Sequence, residues 1–316
     1  MNPWLMGLLA AAVSALVGAS ASSWWGSDAE AVAARGALTS EPEAPVQPGA
    51  RASNATSEAR APVEDVVHPL AALDDDEIGA LVQRDPSALG SASLGAPNRG
   101  ILFNAVEFPD SPLWKRADPT HSWGTAESVK FVEFAITRVN ERFENTPLLY
   151  VGDFSGRSGG RLRPHKSHQS GRDVDIGYYY SGEAVWYQRA DARNLDRARS
   201  WTLLKALITQ TPIEYVFMDK RVQALLEEYA LADGEDPEWL SQVFAGTSKE
   251  GIVRHRWGHA THFHVRFVNP TAELTGRRSY TWLAQAGLLP GHKPRKRRRA
   301  APHPFVSAAR APAMDE

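Results

Sequence analysis

The histidines of this chain are concentrated in two short segments that lie far apart in the sequence. Six of the ten fall there: His165 and His168 in the first segment, and His255, His259, His262 and His264 in the second. Imidazole nitrogens bind transition metals and exchange protons near neutral pH, so this concentration indicates metal binding or acid–base chemistry. Because the chain has no cysteine, thiolate metal sites and cysteine nucleophiles are excluded.

The second segment predicts a β-strand that presents two histidines on one face. Polar and apolar residues alternate through 262–268, and a period of two is typical of a strand with one buried face. His262 and His264 therefore point the same way. His259 would face the opposite side of a straight strand, so either the strand begins near Ala260 or a bulge turns the chain.

The first segment predicts a carboxylate close to an imidazole. Residues 173–180 are strand-like, and Asp175 alternates with the apolar positions. His168 precedes Asp175 by seven residues, and Gly171 between them allows the backbone to turn sharply. His168, Asp175 and His264 would supply three nitrogen and oxygen donors, which is the ligand set of a catalytic zinc that keeps a fourth position open for water.

Together the two segments resemble the penicillin-insensitive murein endopeptidases, a family grouped with lysostaphin, the D-Ala-D-Ala metallopeptidases and the hedgehog fold. The resemblance is carried by H-x-x-H-x-x-x-x-x-x-D followed far downstream by H-x-x-H-x-H. The matching residues are His165, His168, Asp175, His259, His262 and His264. It covers roughly residues 90 to 270 and includes 94–109, 124–131 and 151–153.

The resemblance implies a zinc endopeptidase that cuts peptidoglycan cross-links between D-alanine and meso-diaminopimelate. It associates His262 and His259 with catalysis, and His165 either with the metal or with support of a ligand. On chemical grounds we expect His262 to accept the proton of the attacking water and to return it to the leaving amine. His259 would hydrogen-bond the oxyanion or orient a ligand.

The sequence also allows other functions and other roles for individual residues. A D,D-carboxypeptidase would use the same metal set, whereas a noncatalytic zinc-containing cell-wall-binding protein would release no product. Asp173 orients His168 or a substrate amine, or only caps a loop. Three arginines either meet a substrate carboxylate or form surface salt bridges: Arg163, Arg172 and Arg266.

The surrounding sequence predicts an α+β domain with a central antiparallel sheet flanked by helices. Apolar residues at helical spacing predict a helix over 126–143, capped by Thr125. Further helices are predicted over 201–209, 221–232 and 238–244, and strands over 148–153 and 213–218. The resemblance adds that the fold is like that of hedgehog and the D-Ala-D-Ala peptidases.

Composition divides the chain into four parts. Residues 1–21 have the apolar core and small residues of a signal peptide, which predicts a periplasmic protein with no stable transmembrane span in the mature chain. Residues 22–90 are rich in Ala, Pro and Ser and predict a flexible spacer with a short helix over 74–83. The zinc peptidase domain would span 91–290, followed by a basic disordered tail over 291–316. The net charge of −2 gives no indication of nucleic-acid binding, and oligomeric state has no signal here.

Overall fold

The fold is that of a computed structural model, which describes residues 70–244 and 251–290. The predicted signal peptide, the basic tail and the spacer as far as residue 69 lie outside the described residues.

The described residues form α-helices and short β-strands in an α+β arrangement. The helices are α1 (Asp75–Arg84), α2 (Ala126–Arg142), α3 (Arg197–Gln210), α4 (Lys220–Ala232), α5 (Pro237–Val243) and α6 (Pro270–Gln285). The strands are β1 (Ala92–Ala96), β2 (Arg99–Phe103), β3 (Val106–Glu107), β4 (Trp114–Arg116), β5 (Trp123–Gly124), β6 (Leu149–Val151), β7 (Asp173–Gly177), β8 (Ile213–Met218), β9 (Val253–His255) and β10 (His262–Phe267). Each predicted helix and strand is present, with ends shifted by a few residues.

The main sheet has six strands in the order β4-β6-β7-β10-β8-β9. Its four central strands pair antiparallel, as predicted. The two outer strands pair parallel to their neighbours, which the antiparallel prediction did not include. The reason lies in the connections: α2 separates β4 from β6, and α4 and α5 separate β8 from β9, and parallel neighbours need such a helical crossover.

The central strands bury one apolar face against the helices. Val174, Ile176, Phe263 and Val265 are fully buried in the main core. Phe131 of α2 packs on Phe267 of β10, with ring centroids 5.3 Å apart. Since side chains alternate along a strand, the polar residues of β7 and β10 must all project from the other face.

Helix α2 shows how the sequence fixes these elements. Its apolar stripe at intervals of three and four is buried in the core. The Thr125 hydroxyl accepts the backbone N–H of Ser128 and so caps the first turn. The helix ends at Arg142, one residue before the predicted end.

The segment from Leu70 to residue 90 is folded, which differs from the spacer expected to extend that far. Helix α1 lies against α6, and its N-terminus has a capping box between Asp74 and Glu77. The apolar residues form a second small core: Leu70, Ile78, Val82, Leu89, Ala92, Leu94, Leu283, Ala284 and Leu289. Burial of these side chains offsets the ordering entropy that the Ala- and Pro-rich composition alone could not.

Across the described residues, no helix is both long enough and apolar enough to cross a bilayer.

Candidate metal centre and active site

Direct pairing of β7 with β10 brings the two histidine-rich segments together. His264 lies opposite Asp175 in the antiparallel register, and His262 lies opposite Gly177. The two motifs are therefore hydrogen-bonded neighbours although 89 residues separate His264 from Asp175. All the polar side chains of the two strands project from the same face of the sheet.

Three donor atoms converge at the centre of this face. His168 Nε2 lies 3.3 Å from Asp175 Oδ1 and 3.1 Å from His264 Nδ1. His264 Nδ1 lies 2.9 Å from Asp175 Oδ1. In a tetrahedral zinc site with bonds near 2.0 Å, ligand atoms are about 3.3 Å apart. The separations of these three atoms fit one zinc ion.

The charge around Asp175 also fits a metal cation. Its side chain is only 4% exposed, and in the described part of the chain each of its partners at ion-pair distance is a histidine: His165, His168, His262 and His264. Burial would raise the pKa of Asp175, but His168 and the other imidazoles hold it well below its usual range. A buried anion that has imidazoles but no Lys or Arg beside it is suited to a divalent ion.

His168 is held so that only one of its ring nitrogens faces this centre. Nδ1 lies 2.9 Å from the carbonyl oxygen of Phe154, which only accepts hydrogen bonds, so Nδ1 carries the proton. The lone pair of Nε2 then faces the centre and can bind a metal. The residue is fully buried and has a φ of 63°. Gly171 turns the chain with a φ of 73°, as predicted, and returns it into β7.

His264 presents Nδ1 to the centre and Nε2 to a second carboxylate. Nε2 is buried and 3.3 Å from Asp173 Oδ1, although it makes no hydrogen bond of ordinary geometry. Burial lowers the pKa of His264, but the carboxylates of Asp173 and Asp175 outweigh it and raise the pKa to about 9. In the absence of metal this imidazole is therefore protonated at pH 7 and lies between the two carboxylates.

His262 lies beside the three donor atoms. Its Nε2 lies 3.7 Å from Asp175 Oδ2, and its Nδ1 lies 2.8 Å from the Thr261 hydroxyl. Burial lowers the pKa of His262 below its ordinary value, which leaves the ring neutral at pH 7. A neutral imidazole can accept a proton.

His259 reaches the same place from a loop. The strand begins at His262, so His259 precedes it and is not bound by the strand alternation. Its carbonyl accepts hydrogen bonds from the Tyr178 hydroxyl (2.9 Å) and from the Asp219 N–H (3.0 Å). Its ring lies 4.9 Å from that of His262, and burial lowers its pKa to about 4. His259 can therefore lie on the same side as His262 without a bulge in the strand.

His165 lies at the edge of the centre, further from Asp175 than His168 and His264 are. Its Nδ1 is 3.7 Å from Asp175 Oδ2, and its Nε2 is 2.9 Å from Asp153 Oδ2. The hydrogen bond to Asp153 is the largest cause that raises the pKa of His165. His165, His168 and Asp175 also form a possible donor group, with atoms within 4.8 Å of one another. We favour the set with His264 because its three separations are shorter.

The remaining sequence-predicted residues have separate partners. Asp173 pairs with Arg266, and Arg172 pairs with Glu273. Arg163 is exposed. His255 lies outside the centre, and its Nδ1 accepts the N–H of Lys220 at the start of α4.

Some residues around the centre were missed by the sequence analysis. Asp153 is the last residue of the strand predicted over 148–153 and was otherwise noted only as part of a matching stretch. Trp186 and Tyr187 form an aromatic rim over His262, with the Tyr187 ring stacked 5.6 Å away at 25°. Tyr187 is 61% exposed and has a φ of 65°. Aromatic residues in an irregular loop carry no periodic signal by which they could have been found.

The family assignment follows from comparison with known proteins. A family model described as penicillin-insensitive murein endopeptidase matches residues 93–280, a range that contains all six motif residues. The chain belongs to this family. It is 27% identical over 206 residues to the penicillin-insensitive murein endopeptidase of Klebsiella pneumoniae, covering 58% of this chain and 69% of the relative. Identity to the protein of that name from Haemophilus influenzae is 28% over 211 residues, covering 58% and 66%. For that of Pectobacterium atrosepticum it is 25% over 236 residues, covering 68% and 72%.

The region that matches the penicillin-insensitive murein endopeptidase family runs from β1 to within α6. The match begins within the first strand after α1, so α1 lies before the matched range and the small core lies largely outside it.

Proposed function

We propose that this protein is a zinc-dependent murein endopeptidase that hydrolyses the D-alanyl-meso-diaminopimelyl cross-links of peptidoglycan. The observation that carries the proposal is the convergence of His168, Asp175 and His264 beside two further imidazoles, in a chain that belongs to the murein endopeptidase family. A structural zinc usually closes its fourth position with protein, whereas a catalytic zinc keeps it open.

His168, Asp175 and His264 would hold the zinc, with His165 as an additional donor or as support for Asp175. Bound there, zinc supplies Lewis acidity and lowers the pKa of water towards neutrality. The hedgehog-like and D-Ala-D-Ala-peptidase-like character of the fold is part of this proposal and rests on the resemblance of the two histidine-rich segments to that group.

His262 would act as the general base and then as the general acid. Its Nε2 faces the centre, its Nδ1 is held by Thr261, and its lowered pKa keeps it ready to accept a proton at pH 7. His259 would donate a hydrogen bond to the carbonyl oxygen of the substrate as negative charge develops there. Its lowered pKa leaves the ring neutral, so donation to the substrate requires its single proton on Nε2, whereas Nδ1 lies 3.1 Å from the Trp257 carbonyl oxygen in the metal-free protein.

The aromatic rim of Trp186 and Tyr187 would bind the substrate beside His262. An exposed tyrosine in a left-handed backbone conformation is costly unless the loop over-determines it, and such strain clusters at binding sites. Peptidoglycan lies outside the cytoplasmic membrane, so this activity also requires export, in agreement with the predicted signal peptide and periplasmic location.

The proposal is tested by digestion of purified cross-linked muropeptides followed by mass spectrometry. Zinc-loaded protein should convert dimers to monomers, and chelated protein should not until zinc is restored. Loss of a single terminal D-alanine instead would identify a D,D-carboxypeptidase. Murein binding without any product would identify a noncatalytic wall-binding protein.

The role of His262 is tested by His262→Ala, with His255→Ala as the matched histidine control outside the centre. His262→Ala should keep its zinc and lose about 100-fold or more in kcat, which is the ordinary contribution of general acid–base catalysis. His255→Ala should retain kcat. Hydrolysis at the original rate by zinc-loaded His262→Ala would refute the assignment.

A further inference from the structure

We propose that Asp173 is a positioning residue that holds two of the metal ligands, His168 and His264, in binding geometry and so sets the zinc affinity. This role rests on the proposed function, because it presupposes that the three donors bind a metal.

The carboxylate of Asp173 contacts both histidine-bearing segments at once. Its side chain is fully buried. Oδ2 accepts the backbone N–H of His168 at 3.0 Å, and Oδ1 lies 3.3 Å from His264 Nε2. A single carboxylate thus connects the loop that carries His168 with the strand that carries His264.

The contact with His168 bears on a strained residue. His168 has a φ of 63°, a conformation that disfavours residues with a Cβ. Left-handed residues persist where surrounding bonds over-determine them. Here the backbone N–H is bound by Asp173 and the ring Nδ1 by the Phe154 carbonyl, so the two bonds together aim Nε2 at the centre.

The contact with His264 fixes which ring nitrogen faces the metal. If a metal binds Nδ1, the atom close to Asp175 and His168, the remaining ring proton would be on Nε2, and the Asp173 carboxylate lies 3.3 Å away to accept it. The same contact orients the ring, although Nε2 makes no hydrogen bond of ordinary geometry. Binding of the metal through Nδ1 would strengthen this pairing, since it makes the remaining N–H more acidic.

Arg266 separates the roles of the two neighbouring aspartates. It lies opposite Asp173 in the β7–β10 register and contacts both oxygens, with Nε 2.6 Å from Oδ1 and Nη2 3.2 Å from Oδ2. Asp173 therefore has its own permanent cation. Among the described residues, Asp175, two positions further along β7, has only histidines at ion-pair distance and is left for the metal.

The test is the zinc affinity of metal-free protein, measured by competition with a chromophoric chelator. Asp173→Asn is similar in size but keeps only one of the two oxygens that face the His168 N–H and His264 Nε2, and zinc affinity should fall about 10- to 100-fold, the usual effect of losing such a partner. Glu273→Gln is the matched control, because it removes the carboxylate from another arginine pair, the partly buried Arg172–Glu273, without touching a ligand. Its zinc affinity should equal that of the wild type.

A second variant keeps the comparison valid if Asp173→Asn folds poorly with Arg266 unpaired. The double variant Asp173→Asn with Arg266→Gln removes both charges and should show the same loss of affinity. Cobalt substitution adds a readout that stability alone would not change: the visible absorption bands of the Co²⁺ form should shift in the Asp173 variants and not in Glu273→Gln.

The outcomes separate this role from the proposed function. A wild-type protein that binds no zinc would overturn the metal site and this role together. Normal binding by the wild type, with folded Asp173 variants within twofold of its affinity and unchanged Co²⁺ bands, would overturn the role of Asp173 alone.

Discussion

Gly276 on α6 is the point at which this helix touches the backbone of β1, and Gly276→Ala should destabilise the protein. A Cβ at this position would lie 2.2 Å from the carbonyl oxygen of Ser93 and 2.9 Å from its carbonyl carbon. Carbon and oxygen ordinarily approach no closer than about 3.3 Å. The helix and the strand would therefore have to separate by about 1 Å, and no flexible side chain is available to absorb the shift.

The expected change in the free energy of unfolding of Gly276→Ala follows from two opposing effects. Overpacking of this kind costs about 1 to 3 kcal/mol, and a backbone clash lies at the upper end of that range. Alanine regains about 1 kcal/mol over glycine inside a helix. We expect a net loss of about 2 kcal/mol in the free energy of unfolding, which for a domain of this size lowers Tm by about 4 to 8 °C.

Thermal and urea unfolding of Gly276→Ala measure this loss, and Arg277→Ala is the control at the next, exposed position of the same helix. The control should stay within about 0.5 kcal/mol of wild type. Hydrolysis per folded molecule should be unchanged, since β1 and α6 lie outside the metal centre. A Tm for Gly276→Ala equal to or above that of wild type would show that the close approach is not real.

Three further outcomes are expected. Chelation of the metal should lower Tm reversibly, since free zinc at a hundredfold excess over Kd stabilises by about 2.7 kcal/mol; calorimetry with and without zinc measures it. Glu127→Ala should cost about 1 to 2 kcal/mol in unfolding experiments, whereas exposed Glu141→Ala should cost little, because Glu127 accepts the N–H groups of Thr271 and Ala272 at the start of α6. Gly152→Ala should raise KM about two- to tenfold, because its Cβ would lie 2.3 Å from the Trp186 ring and displace the rim; zinc content is measured as well, since the Cβ would also lie 3.2 Å from the Asp175 carbonyl oxygen. Gly156→Ala, whose Cβ would make only an ordinary contact at 3.8 Å with the Gly159 carbonyl oxygen, should leave KM as it is.

The parts of the site that lie on strands could be predicted from the sequence. Alternation alone assigned His262 and His264 to one face, and a short glycine-containing loop linked His168 to Asp175. The structure adds that β7 and β10 are adjacent and in the register that sets His264 against Asp175. That register depends on packing between distant segments, which local pattern does not encode.

The parts that depend on loops and long-range packing were not predictable in this way. The position of His259 is determined by bonds from Tyr178 and Asp219, two residues that are remote in sequence. The Trp186–Tyr187 rim and the Asp153 partner of His165 have the same origin. The fold of α1 against α6 was hidden by a composition that is typical of a linker, because only a few apolar residues among many small ones make the contact.

The antiparallel pairing of β7 with β10 has a consequence for how the centre forms during folding. Because successive side chains alternate between faces, a slip of β10 by one residue would turn both imidazoles into the apolar layer and expose Phe263 and Val265 in their place. Such a chain would lose its core and its donors at the same moment. Correct strand alignment therefore builds the apolar layer and gathers the donor atoms together.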